Sequence, residues 1–182
     1  MKRIPFWLIV CTTVALAFFA GRAISAQDKY TLRVPEGLSF AEFRGYEDWQ
    51  VVSISQANIP SIGELIEVIL ANPVMIEAYR AGIDGSNKPY PDGAKMAKIH
   101  WTTKKMVEAP APTTVPDMLH DVDFMVRDSK RFADSGAWGY AEFDYDAASD
   151  TFKPFSTGAK CGFACHTRVA GKDYVFTSYP KR

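Results

Sequence analysis

Apolar and polar residues alternate over short runs through the middle of the chain, and that period predicts strands. Trp49-Gln50-Val51-Val52-Ser53-Ile54-Ser55 is the first, rich in β-forming residues. Ile62, Leu65, Ile66, Ile69 and Leu70 then recur at helical spacing behind Ser61 and Glu64, a capping-box pair, and predict a helix over 61–70. Asn72 and Pro73 suit the cap and first position of a second short helix, ending near Arg80 with Ala81-Gly82 behind it. After a turn-rich stretch, Ala94 to Trp101 reads as a strand with Met96, Lys98 and His100 on one face and Lys95, Ala97, Ile99 and Trp101 on the other. Thr102 to Lys105 turns or extends it, and Pro110, Pro112 and Pro116 mark a loop. Asp121 to Arg127 and the aromatic run Trp138 to Tyr145 are further strands. Between them Asp128 to Ser135 predicts one or two helical turns that Gly136 ends. A last helical turn spans Cys161 to His166, followed by the apolar tail Tyr174-Val175-Phe176-Thr177. Strands follow one another without regular intervening helices. The fold class is therefore α+β: a largely antiparallel sheet with a few packed helices and a C-terminal attachment segment.

The first 26 residues stand apart from this pattern. Lys2 and Arg3 precede a nearly unbroken apolar run from Ile4 to Ala20, and small residues lead to a cleavage position after Ala26. That is the form of a secretory signal peptide, which predicts residues 27–182 as one exported domain with no membrane attachment after cleavage. Cleavage removes Lys2, Arg3 and Arg22 and no acid, so the 21 basic residues fall to 18 against 21 acidic ones. Such a chain has no basic field for nucleic acid.

Export also places the mature cysteines in an oxidising compartment, and there are only two of them, in Cys161-Gly162-Phe163-Ala164-Cys165-His166. Two thiols with a histidine directly after the second have the makings of a covalent haem site. Each thiol can add to a vinyl group, and the imidazole Nε2 can bind the iron. A disulfide closing a small loop is one alternative. Zinc is another, with only His100 and His120 left as further imidazoles. The usual spacer is two residues and here it is three, so a bulged loop is expected, with Gly162 supplying the freedom.

Taken together, several stretches resemble the cytochrome P460 family. They are Tyr90-Pro91-Asp92-Gly93-Ala94-Lys95-Met96-Ala97-Lys98, Phe124-Met125-Val126-Arg127-Asp128-Ser129-Lys130-Arg131-Phe132, Gly136-Ala137-Trp138-Gly139-Tyr140, and Cys161 to His166 running on to Lys172-Asp173-Tyr174-Val175-Phe176-Thr177. The resemblance implies a sheet-rich periplasmic protein, commonly a homodimer, with His-ligated haem c and an open distal side. Two activities run in that family. One is hydroxylamine oxidation, with electrons passed to a periplasmic acceptor and a lysine bonded covalently to the porphyrin. The other, in the related beta-sheet cytochromes c-prime, is non-enzymatic binding of nitric oxide at an apolar distal pocket.

The resemblance assigns Cys161 and Cys165 as tethers and His166 as iron ligand. It matches Lys98 to the cross-linking lysine, with Lys95 as its neighbour, and a solvated or carboxylate-paired Lys98 as the ordinary reading. Hydroxylamine oxidation also needs a distal proton acceptor. Asp123 and Asp121 are the candidates, Asp123 preferred, with Glu142 third; either aspartate could equally be a surface strand residue. Arg127 and Arg131 could pair with haem propionates or simply be solvated. A sixth ligand from His100, His120, Met118 or Met125 would instead make the protein an electron carrier.

Overall fold

The computed structural model describes residues 27–181, so the expected signal peptide over 1–26 lies outside the described residues. Six strands form one antiparallel sheet in sequence order: β1 (Gln50–Ile59), β2 (Gly63–Ala71), β3 (Lys95–Met106), β4 (Thr113–Arg127), β5 (Trp138–Asp146) and β6 (Thr151–Pro154). Two α-helices join them, α1 (Pro73–Arg80) between β2 and β3 and α2 (Gly158–His166) after β6. The α+β class with an antiparallel sheet is what the strand succession predicted.

Three local expectations are corrected. Residues 63–71 are a strand, not most of the helix expected over 61–70. Gly-Glu-Leu-Ile-Glu-Val-Ile-Leu-Ala is a nearly continuous apolar run because β2 is covered on both faces. Leu65 and Ile69 are buried on one side, Leu70 on the other, and a two-sided run cannot be told from a helix by period alone. Its β-branched residues and Gly63, at φ 104°, fit a hairpin that pairs Ile59 with Gly63. Pro116 lies inside β4 where the β3–β4 register shifts, which accommodates its missing donor. Of the helical turns expected over 128–135, only a single 3-10 turn forms at Ala133–Ser135, closed by Gly136 in the left-handed region. Helix α1 follows its signals: the Asn72 side chain accepts from Met75 N at 3.1 Å, with Pro73 at the first position.

The two faces of the sheet are covered differently. Residues 29–48, mostly 3-10 turns, wrap one face and bury Val34, Leu38, Phe40, Phe43 and Tyr46 against Ala97, Val122, Phe124 and Phe143. Phe124 is the centre of that packing. Its ring stacks on Phe43 at 4.2 Å and meets Phe40, Tyr46 and Phe143 edge-on. Helix α1 and the C-terminal tail cover part of the other face, where Met75, Met96, Met125, Trp138, Tyr140 and Val175 cluster. The rest of that face, under α2, stays open as a cavity.

Phe124→Ala should cost about 3–5 kcal/mol, as for other fully buried aromatics. Denaturant unfolding measures it; a loss below 1 kcal/mol would mean that the wrap does not pin the sheet.

Candidate haem site

The antiparallel register lays out the floor of the cavity. Ile69, Lys98, Asp123 and Glu142 form one cross-strand row, and Ser55, Glu67, His100, Asp121 and Asp144 form the next. On the other side of the first row run Ala71, Met96, Met125 and Tyr140. A polar patch thus grades into an apolar one across about three residues. The cavity above this floor has a volume of about 500 Å³, within the range of roughly 300–1,000 Å³ that holds cofactor-sized ligands.

Its other wall is α2. The Cys161–His166 segment is regular helix rather than the bulged loop expected from its long spacer. Three intervening residues put Cys161 and Cys165 four apart, one turn above the other on the same face. Both thiols are free and exposed, and both line the cavity together with His166. Gly162 serves close approach, not bending. A Cβ there would sit 2.7 Å from Tyr140 Cβ, and one on Gly158 would sit 3.0 Å from Glu142 N. Two glycines one turn apart let α2 lie directly on β5.

His166 ends the helix with its ring between Tyr140 and Phe176, at centroid distances of 4.9 and 5.0 Å. Its Nδ1–H donates to the Tyr174 carbonyl at 2.6 Å, which fixes the tautomer and leaves Nε2 without a partner among the described residues. Burial holds its pKa below the ordinary imidazole value, so the ring is neutral, as a metal ligand must be. The carbonyl is aimed by a corner in which Asp173 and Tyr174 both take positive φ, 50° and 64°. Such a pair of non-glycine residues is strained and needs external support. Asp173 supplies it by accepting from Tyr90 N at 2.8 Å and Arg127 Nε at 3.1 Å, while Arg127 Nη1 reaches Asp92 at 2.8 Å. Arg127 is therefore a brace behind His166. Arg131 pairs with Glu42 at 2.8 Å and is not at the cavity.

Lys98 lines the cavity, and its Nζ lies 2.9 Å from Glu67 Oε1. Lys95 points to the opposite face, where its Nζ donates to the Glu42 carbonyl at 2.6 Å. Asp123 and Glu142 line the cavity as adjacent members of their row. Burial pushes the Asp123 carboxyl up to about 6, with neighbouring Asp121 acting in the same direction. Burial likewise pushes Glu142 up to about 8, with Asp123 and Asp121 adding to it. Asp121 is different. It is buried between His100 Nδ1 and His120 Nδ1, whose hydrogen bonds outweigh burial and keep its pKa low. Glu67, which the helical misreading hid, is a further carboxylate of the wall. The His100 hydrogen bond, opposed by burial, lowers it to about 2 with help from Ser55 and Lys98.

Of the possible sixth ligands, His100 and His120 are engaged by Asp121, and Met118 is 56% exposed. Met125 packs in the apolar cluster. The residues present fit a haem: an apolar slot lined by Ile69, Met96, Met125 and Phe176, two free thiols on one helix face, and an oriented neutral imidazole.

Two outcomes are expected of these contacts. Arg127→Ala should cost about 1.5–3 kcal/mol, the worth of hydrogen bonds to charged groups. Arg127→Lys should recover little of it, since one ammonium cannot span Asp92 and Asp173 as a guanidinium fork does; thermal melts compare the three proteins. Stability should also fall as pH rises. Asp123 and Glu142 have raised folded pKa values, so their contribution is full below the unfolded carboxylate range and is lost as pH passes about 6 and about 8. Burial opposes the His100 cation, but Asp121 and Glu67 raise it to about 9, so its contribution is full below pH 6.5 and is lost through about 9. Asp123→Asn with Glu142→Gln should flatten the part of the curve between pH 5 and 8. Unchanged curvature in chemical denaturation would contradict the assignment.

Comparison with known families agrees with this geometry. No curated protein matches the chain at a significant level. The cytochrome P460 family model matches residues 43–177, which is most of the chain and includes every cavity residue named above. The chain belongs to the cytochrome P460 family, and is a cytochrome of the c type whose cofactor is haem.

Proposed function

We propose that this protein is a periplasmic mono-haem cytochrome that oxidises hydroxylamine and passes the electrons to a periplasmic acceptor. In this reading Cys161 and Cys165 tether the haem through thioethers, His166 binds the iron through Nε2, and Lys98 forms a third link to the porphyrin edge. The observation that carries the reading is the pair of cavity carboxylates, Asp123 and Glu142, whose proton affinities are raised toward neutrality. An apolar distal wall would instead suit a binder of nitric oxide.

When bound, haem would supply an iron that can take a nitrogen ligand and accept electrons from it. The protein's part is to receive the N–H and O–H protons released as those electrons leave. Asp123, near pKa 6, is available as a base at neutral pH; Glu142, near 8, is mostly protonated there and can donate a hydrogen bond to the substrate. Lys98 is kept in the wall by Glu67, and bonding to the porphyrin would turn it from a half-buried cation into a structural link. Tyr140 and Phe176 fix the imidazole plane, and Ile69, Met96 and Met125 give the cavity an apolar lining that would exclude water from a bound haem.

The test uses protein made in a host that attaches c-type haem. The ferrous Soret band of the wild type should lie far to the red and return to an ordinary position in Lys98→Arg. Hydroxylamine-dependent reduction of an acceptor should fall about 10²–10⁴-fold in the Asp123→Asn, Glu142→Gln double variant. An ordinary five-coordinate Soret band without turnover would replace this reading with gas binding. Absence of covalently held haem would remove the tethering.

A further inference from the structure

Behind the cavity, one group of side chains has no part in holding haem. His100 is 8% exposed and Asp121 9%, and the two are hydrogen bonded through Nδ1 and Oδ1. Asp121 turns its other oxygen to Nδ1 of His120, whose side chain is 32% exposed. On the inner side, His100 Nε2 lies 3.4 Å from Glu67 Oε1 in the cavity wall. The ligating atoms of His100, Asp121 and Asp123 all lie within 4.8 Å of one another, a span that one water closes.

We propose that His100, Asp121 and His120 form a proton conduit joining Asp123 at the distal end of the cavity to solvent. The inference rests on the reading that the cavity releases protons during turnover. Each transfer moves one proton and no electron. Imidazolium His100 gives its Nδ1 proton to Asp121, and the neutral ring, which keeps its Nε2 proton, regains the lost one at Nδ1 after a half-turn that presents this nitrogen to the cavity side. In the tautomer with Nδ1 bare, His120 takes the proton there from the Asp121 carboxyl and releases its Nε2 proton to water, and a turn of the exposed ring resets it. The sum is one proton moved from Asp123 to solvent, with each relay side chain returned to its starting charge.

Three features distinguish a conduit from a static network. The chain is continuous from cavity to surface. Every member has two atoms that can carry a proton. It also ends on an imidazole in contact with water rather than on a buried carbonyl. Other charged groups face it: Glu67 from β2, Lys98 and His100's own strand from β3, Asp123 from β4, and Glu142 and Asp144 from β5. Glu67 and Asp121 hold His100 as the cation that begins each transfer.

The experiment compares haem-loaded wild type, His120→Ala and Asp121→Asn. Two rates are read: hydroxylamine turnover, and uptake of a proton from a pH-indicator dye when the ferric protein is rapidly reduced with no substrate present. His120 is exposed, so its variant tests the conduit even if Asp121→Asn fails to fold. Both rates should fall at least tenfold in His120→Ala with the absorption spectrum and KM unchanged, and millimolar imidazole should restore them. Slowed, imidazole-rescued uptake in a protein that does not turn over hydroxylamine would support the conduit and overturn only the substrate. Equal rates in wild type and His120→Ala, or no proton uptake in the wild type, would overturn the conduit itself.

Discussion

Everything at this site depends on the register of three antiparallel strands. Lys98, Asp123 and Glu142 are neighbours because β3, β4 and β5 pair in one particular alignment. A slip of one residue would turn all three into the aromatic core and bring Ile99, Val122 and Phe143 into the cavity. The register is held from behind. Phe124, between Asp123 and Met125, is locked by four aromatic rings from the N-terminal wrap and β5. The wrap is therefore not a lid over a finished sheet. It supplies the packing energy that makes one alignment of a charged face preferable to its neighbours.

The opposite wall is fixed by a second constraint, the contact of α2 with β5. Helix and strand meet where Gly158 lies against the Glu142 backbone and Gly162 against the Tyr140 side chain. That contact sets where both thiols and the imidazole project. The stretches that carry the family resemblance converge here although they lie far apart in sequence. The Tyr90–Asp92 turn, Arg127 and Asp173 together support the strained corner that aims a carbonyl at His166. The His166 ring is thus oriented by charge pairs that do not touch it, an arrangement typical of groups that tune a ligand through its hydrogen bonds.

Much of this was legible in the sequence where a pattern had one physical meaning. The alternation through 94–101 placed Met96, Lys98 and His100 on one face, and Asn72-Pro73 marked α1. The contiguity of Cys165 and His166 pointed to a segment that does line the cavity. Failures came where one pattern had two meanings. A strand buried on both faces looks like a helix, so Glu67 was placed on the wrong kind of element and missed as part of the wall. Strand β6, only four residues long, gave no pattern at all. Gly162 was read for flexibility because a sequence cannot show that Tyr140 lies against it. Asp121 and Asp123 illustrate a limit of another kind. They share a strand face and a residue type, and only the positions of His100 and His120 give them opposite proton affinities.

That division follows from charge balance. The cavity end of the sheet brings together Glu67, Asp121, Asp123, Glu142 and Asp144 around the basic side chains Lys98, His100 and His120. Five carboxylates cannot all ionise beside so few basic groups in a partly desolvated space. The hydrogen bonds decide which of them yield. Glu67 and Asp121 each hold direct imidazole partners and remain anions. Asp123 and Glu142 have no such partners, face each other across β4 and β5, and hold their protons to higher pH. The carboxylates with the most strongly raised proton affinity are thereby two that border the open part of the cavity. An excess of negative charge, which would merely destabilise an ordinary sheet, here fixes both where protons are stored and which anions stay ionised beside the path that could carry them away.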